Sequence, residues 1–274
     1  MTTSTAVTNQ NPAETEKYPP CLSVVMPVYN EAATLMDVVH RVLAVPYLLE
    51  IIIVDDCSSD GSADIARQLA ETYPQVRAVQ QPRNLGKTAA LKTGFALTSG
   101  EVVIIQDADL EYDPAEIHGV IRPILDHHAD VVYGSRFLVR RAARVLYFYH
   151  YLGNKFLTFL SNTLTNLNMT DIETGYKAFR GEIIRNMVIV SSGFGFEVEV
   201  TAKIAKLKTA IYEVPISYYG RTYDEGKKIG PADFFVALWL VLRFNLFCSL
   251  RASFRQLPAT KAKPNRQPSG ALES

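Results

Sequence analysis

From Leu22 to Ile105, apolar runs of strand length alternate with stretches of helical period, and that alternation constrains the fold more than any other feature. The runs are Leu22-Ser23-Val24-Val25-Met26-Pro27-Val28, Leu49-Glu50-Ile51-Ile52-Ile53-Val54, Gln75 to Gln80, and Val102-Val103-Ile104-Ile105. Such β-branched runs, apolar on both faces, mark buried parallel strands. Between the first two, Leu35, Val38, Val39, Val42 and Leu43 recur with helical spacing. Amphipathic stretches through Ala70 and through Leu97 fill the next two gaps. Parallel strands joined by helices need right-handed crossovers, which cover both faces of the sheet. The expected class is α/β, with a mostly parallel central sheet flanked by helices.

That topology brings the strands' carboxyl ends to one edge, where ligands of open α/β sheets collect. The loops expected there are Tyr29-Asn30-Glu31, Asp55-Asp56, Arg83 to Lys87, and the acidic turn Asp107-Ala108-Asp109-Leu110-Glu111. Crowded carboxylates repel one another unless they share a proton or a cation, and a divalent ion bridging nucleotide phosphates would satisfy them. Asn30 is expected to cap the first helix, with Glu31 in its acidic first turn, and Asp60 to cap the second. No G-x-G-x-x-G or G-x-x-x-x-G-K-[ST] pattern is present, so phosphate charge must be met by metal and basic side chains.

Lys and Arg together number 28, as do Asp and Glu, so no global field favours nucleic acid. Cys21, Cys57 and Cys248 show neither metal spacing nor a disulfide framework, which suits a reducing cytoplasm. Residues 1–19 are polar and lack an apolar signal core; they read as a disordered lead-in, and 257–274 as a disordered tail. Residues 20–232 would form the main domain. His127-His128 read as surface residues. The stretch Arg140 to Asn168 opens basic and then carries more aromatic and aliphatic residues than one helix face accommodates. Phe234 to Leu250, within 233–256, is too short and too polar to span a bilayer, and reads as an interfacial helix, with Arg251 and Arg255 suited to anionic headgroups.

Taken together, Val24-Val25-Met26-Pro27-Val28-Tyr29-Asn30-Glu31, Ile53-Val54-Asp55-Asp56-Cys57-Ser58-Ser59-Asp60, Asn84-Leu85-Gly86-Lys87 and Asp107-Ala108-Asp109 resemble the family 2 glycosyltransferases of the GT-A fold. Gly134-Ser135-Arg136 and Asp171-Ile172-Glu173-Thr174-Gly175-Tyr176-Lys177 resemble its dolichyl-phosphate mannosyltransferase-like, polyprenyl-phosphate branch. The resemblance implies that Pro27, Tyr29, Glu31, Asp56, Lys87 and Asp107 bind the nucleotide. It implies that Asp107, Asp109 and Glu111 hold Mg²⁺ or Mn²⁺, Asp109 most directly; the branch commonly has Gln where Glu111 stands. Arg136, Arg221 and Lys227 would meet the diphosphate, and Thr174-Gly175-Tyr176 the acceptor phosphate. The implied reaction is inverting transfer of a hexosyl group from GDP-mannose or a UDP-hexose to a polyprenyl phosphate, at the cytoplasmic face of a membrane. Two alternatives stay open: a hydroxyl acceptor with Asp171, Glu173 or Glu197 as base, and a non-catalytic nucleotide-binding module.

Overall fold

The structure, a computed structural model, describes residues 18–138, 144, 147–222 and 231–259. The elements run β1 (Leu22–Val28), α1 (Leu35–Leu43), β2 (Leu48–Asp55), α2 (Ser62–Thr72), β3 (Val76–Gln80), α3 (Lys87–Leu97) and β4 (Val102–Ile105). There follow α4 (Ile117–Leu125), β5 (Val131–Ser135), α5 (Phe148–Thr165), β6 (Lys177–Arg180), α6 (Gly181–Asn186), α7 (Phe196–Leu207), β7 (Ile211–Pro215), α8 (Pro231–Phe247) and α9 (Leu250–Ser253). The sheet order is β3-β2-β1-β4-β6-β5-β7. Pairing is parallel from β3 to β4 and between β5 and β7, while β6 runs antiparallel to both its neighbours. The expected α/β class holds. The antiparallel strand β6 adds to the strands expected from the sequence.

Strand alternation divides the core between the two faces of the sheet. Val24, Met26 and Val28 of β1 join Leu35, Val38 and Val42 of α1 and Ile117 and Ile121 of α4 on one face. Val25, Val103 and Ile105 join Leu91 and Phe95 of α3, Phe196 and Val200 of α7, and Val241 and Phe244 of α8 on the other. Each fully buried aliphatic side chain contributes about 1.5–3 kcal/mol, so β1 anchors both layers. Gly94 lets α3 lie close on β1, for a Cβ there would stand 2.3 Å from Val25 Cγ1.

Two cap expectations are revised. Asn30 does not cap α1, which starts only at Leu35 after Thr34. Instead Asn30 sits at a left-handed φ of 56°, and its Oδ1 accepts the Ser59 N–H at 2.8 Å. Short polar side chains tolerate that conformation because they bond locally. Nor is Asp60 the N-cap of α2: Gly61 holds that place without a side-chain cap bond, while Asp60, one residue earlier, accepts the N–H of Ser62 and, with its other oxygen, that of Ala32. Glu31 N–H donates to Ser62 Oγ. The loops after β1 and β2 are thereby stitched into one wall.

The expected C-terminal helix is confirmed as α8, but only one side of it is free. Leu240, Val241 and Phe244 are buried, whereas Phe235, Val236, Trp239 and Phe247 are exposed. Its neighbour α5 exposes Phe148, Tyr149, Leu152, Phe156 and Phe159, and Phe156 meets Phe234 at 6.2 Å between ring centroids. Among the described residues, no helix is long and apolar enough to cross a membrane. His127 and His128 are exposed, as expected. Residues 1–17 and 260–274, which contain most of the expected lead-in and tail, lie outside the described residues.

Candidate active site

A cavity of about 480 Å³ opens at the carboxyl ends of the parallel strands. Pro27, Tyr29, Glu31, Asp56, Lys87, Asp107, Asp109, Glu111, Arg136, Gly175 and Arg221 all line it. The expected site therefore converges on one space, with three exceptions. Thr174 is fully buried and does not reach the cavity. Tyr176 is a core residue: its ring stacks on Tyr112 at 5.2 Å, and its hydroxyl donates to the Asp113 carbonyl. Of the expected acceptor core, only Gly175 lines the cavity. Lys227 lies outside the described residues.

In the loop after β2, Asp56 is almost completely buried, and its two oxygens accept the N–H groups of Leu85 and Gly86 at 2.8 and 2.7 Å. A carboxylate receiving two backbone donors is a strong anchor. It fixes the loop that delivers Lys87. Gly86 has a φ of 87°, and a Cβ there would approach Gly193 Cα to 3.3 Å; only glycine suits both demands. Thr88 completes the contact by donating N–H and hydroxyl to the Gly193 carbonyl. Lys87 Nζ then lies 2.9 Å from Asp107 and 3.6 Å from Glu197. Burial works against its charge, but those two carboxylates hold it protonated, above the ordinary lysine range.

The acidic turn is crowded. Burial, then the charges of Asp107 and Glu111, raise the Asp109 carboxyl to about 7, with Arg221 pulling the other way. The Arg221 guanidinium donates to Glu31 at 3.0 and 3.1 Å and to Asp109 at 2.9 Å, and its Nε stands 3.6 Å from Glu111. Glu111 gives one oxygen to the Tyr218 hydroxyl and the other to the Arg221 N–H, at 2.9 and 2.8 Å. This acid therefore positions the arginine segment, a role the sequence did not suggest. Among the described residues, Lys87 pairs with Asp107, and Arg221 with Glu31, Asp109 and Glu111. Hard oxygen donors of this kind fit Mg²⁺ or Mn²⁺. Among the described residues, no three acid, histidine or cysteine side chains converge on a single metal position, because Asp107 is turned to Lys87 and Glu111 to the arginine segment.

Elsewhere in the cavity wall, Arg136 forms a two-pronged ion pair with Asp171 at 2.6 and 2.8 Å, with Asn154 donating to the same carboxylate. Burial opposes ionisation of Asp171, yet Arg136 holds its carboxyl below the usual range. Asp171 is thus spent as a partner for arginine and is a poor base. Arg136 also lies 5.0 Å from the centroid of the Tyr218 ring. Glu173 lines the cavity nearby, raised to about 7 by burial and then by the charge of Glu197.

The sequence model of the family described as Glycosyl transferase family 2 matches residues 23–188. An undecaprenyl-phosphate mannosyltransferase of Micrococcus luteus is 30% identical over 216 residues, 75% of this chain and 86% of that protein. A polyprenol monophosphomannose synthase of Mycolicibacterium smegmatis is 30% identical over 227 residues, 79% of this chain and 85% of that protein. A dolichol-phosphate mannosyltransferase of Pyrococcus furiosus is 29% identical over 217 residues, 78% of this chain but 60% of the relative. Among solved structures, glucosyl-3-phosphoglycerate synthase from Mycobacterium tuberculosis in complex with uridine diphosphate superimposes with a TM-score of 0.64 at 20% identity, over 82% of this chain and 80% of that one. A second structure of that synthase, with Mn²⁺, uridine diphosphate and glucosyl-3-phosphoglycerate, gives 0.61 at 22% identity over the same shares. At that identity the likeness establishes the fold, which is GT-A.

Proposed function

The chain belongs to glycosyl transferase family 2, and from that premise we propose that it transfers a hexosyl group from a nucleotide sugar to a polyprenyl phosphate. The relatives named above as polyprenyl-phosphate mannosyltransferases support mannose as the hexose, and GDP-mannose is the donor this reading favours. The observation that carries the reading is a cavity whose wall combines the acidic turn and Lys87 with Arg136 and Gly175. Such a cavity suits a donor diphosphate meeting a phosphate acceptor.

The nucleoside would lie along Pro27, Tyr29 and the Asp56-anchored loop. Asp109 and Asp107 would hold Mg²⁺ or Mn²⁺, with Glu111 keeping Arg221 beside them. When bound, that ion neutralises charge on the leaving diphosphate. Arg221 and Lys227 would share the same task from the protein side. An acceptor phosphate oxygen attacks the anomeric carbon opposite the leaving group, which inverts that carbon. The carbon–oxygen bond to the diphosphate breaks, and the nucleoside diphosphate departs with the electron pair. A phosphate monoester has a second pKa of about 6, so it arrives largely ionised and needs no protein base. Arg136 would hold it, with Asp171 keeping the guanidinium extended.

The exposed aromatic faces of α5 and α8 support a peripheral seat on a membrane. Because the inner face of α8 belongs to the core, the test is substitution rather than truncation. Phe235→Glu with Trp239→Glu should release the protein from anionic vesicles in a flotation assay while leaving its melting temperature intact; undiminished flotation would refute the membrane seat.

A second reading has one observation in its favour. Glu173, raised to about 7, could serve as base for a hydroxyl acceptor. Transfer of labelled hexose to a short polyprenyl phosphate, compared with transfer to free sugars, separates the two. Lipid product with a rate independent of Glu173 ionisation supports phosphate as acceptor. Product only on hydroxyls refutes it.

A further inference from the structure

Two carboxylates in the cavity have no part in the transfer just described. Glu173 precedes the buried Thr174, and Glu197 stands in the first turn of α7. Both line the cavity beside Gly193 and Phe194. Oε1 of Glu173 is buried and has no hydrogen-bond partner. The nearest buried amine does not supply one: Lys177 Nζ is committed to the carbonyls of Ile172 and Thr174. A buried acceptor without a donor destabilises the site until a donor arrives.

Position narrows what that donor is. Lys87 Nζ pairs with both Asp107 and Glu197, which joins Glu197 to the acidic turn. Glu173 is two residues from Gly175, where a Cβ would stand 2.7 Å from Asp107 Oδ2 and 3.4 Å from Lys87 Nζ, and it is within electrostatic reach of Arg136. The pair therefore adjoins the residues assigned above to the leaving diphosphate. The transferred group, bonded to that diphosphate, must lie in the same part of the cavity. A hexosyl ring presents several hydroxyl donors on its edge and C–H groups on its face. Carboxylates receive the former, and the partly exposed ring of Phe194 in the same wall suits the latter.

We propose that Glu173 and Glu197 form the subsite that receives the ring hydroxyls of the donor's hexosyl group and sets which hexose is accepted. The inference rests on the nucleotide-sugar reading above. A site built to accept hydroxyl hydrogens discriminates strongly against a ring that lacks or misplaces one, since its buried acceptors are then left unpaired. Glutamine at either position keeps the shape and removes the charge.

The experiment is calorimetric titration of the full chain, with Mn²⁺ present, using wild type, Glu173→Gln and Glu197→Gln. Each is titrated with GDP and UDP, then with GDP-mannose, GDP-glucose and UDP-glucose, and thermal melts accompany each variant. The expected result is unchanged affinity for the diphosphates in Glu173→Gln, with affinity for the preferred nucleotide sugar reduced about 10- to 100-fold; Glu197→Gln, whose carboxylate also pairs with Lys87, should weaken the nucleotide sugar more than the diphosphate. The wild-type preference between the mannose and glucose epimers should narrow in parallel. Equal weakening of diphosphate and nucleotide sugar would overturn the proposal, because the residues would then serve the phosphate end or the fold. Lost turnover with unchanged donor affinity would overturn it in favour of a base. Failure of wild type to bind any of the five ligands would refute the donor reading itself, and with it this inference.

Discussion

On the β1–β4 side of the cavity, the loop carboxylates Asp56 and Asp60 are held by backbone N–H groups; on the β5–β6 side, Asp171 is held by a side-chain cation. Asp56 takes the amides of Leu85 and Gly86, and Asp60 takes those of Ala32 and Ser62. Asp171 instead takes both prongs of Arg136. The first arrangement fixes loops in space and leaves Lys87, Asp107 and Asp109 aimed from a rigid edge. The second fixes charges relative to one another, so that removing either member leaves its partner buried and unbalanced. The Asp56 side thus depends on backbone geometry and the Arg136 side on charge pairing. Arg221 crosses from one to the other, tied to Glu31, Asp109 and Glu111 at once.

This contrast can be broken at both ends. The largest effect is expected at the junction. Asp109→Asn should cut transfer on the order of a thousandfold, with the circular-dichroism melt unchanged, because the residue serves charge on the leaving group rather than packing. Retained turnover would remove Asp109 from the centre of the site. At the acceptor end, Asp171→Asn should cost about 3–5 kcal/mol in denaturant unfolding, since Arg136 remains buried without its counter-charge. A loss no larger than a surface pair's would show that the ion pair is not structural.

At the nucleotide end, Asp56→Ala should cost less, about 2 kcal/mol, and its signature is local. Hydrogen exchange at the amides of Leu85 and Gly86 should accelerate ahead of the rest of the sheet. Uniform acceleration would mean that Asp56 supports the whole fold instead of one loop. The smallest effect concerns pH. Glu173 stands at about 7 in the folded protein against an ordinary 4.5. Between those values the folded state keeps a proton that the unfolded chain releases, so stability attributable to this group falls as pH rises from about 4.5 through 7. Glu173→Gln should flatten that slope by about 1–3 kcal/mol across the window, measured by urea unfolding at stepped pH.

The same contrast explains what the sequence made legible. Parallel strands of β-branched residues and the helices between them repeat often enough to be read from period alone. The nucleotide end is built from residues near strand ends, so Tyr29, Asp56, Lys87 and the acidic turn could be placed together from topology. What escaped depends on distant pairs. β6 has four residues, opens with a buried lysine and shows no alternation, so nothing marked it as a strand. Tyr176 looked like an acceptor residue because of its neighbours in the chain, but its ring is needed to fill the core beside Tyr112. The family resemblance implied Glu111 as a metal ligand. Its hold on the arginine segment spans 110 residues and needed the folded chain to show it.

The most direct test of the account is product analysis with purified full-length protein, labelled GDP-mannose, Mn²⁺ and a short-chain polyprenyl phosphate. The account predicts label in an organic-extractable glycosyl phospholipid with an inverted anomeric carbon, formed by wild type and lost in Asp109→Asn. Label found only on a hydroxyl acceptor, or no transfer from any nucleotide sugar despite tight nucleotide binding, would contradict it.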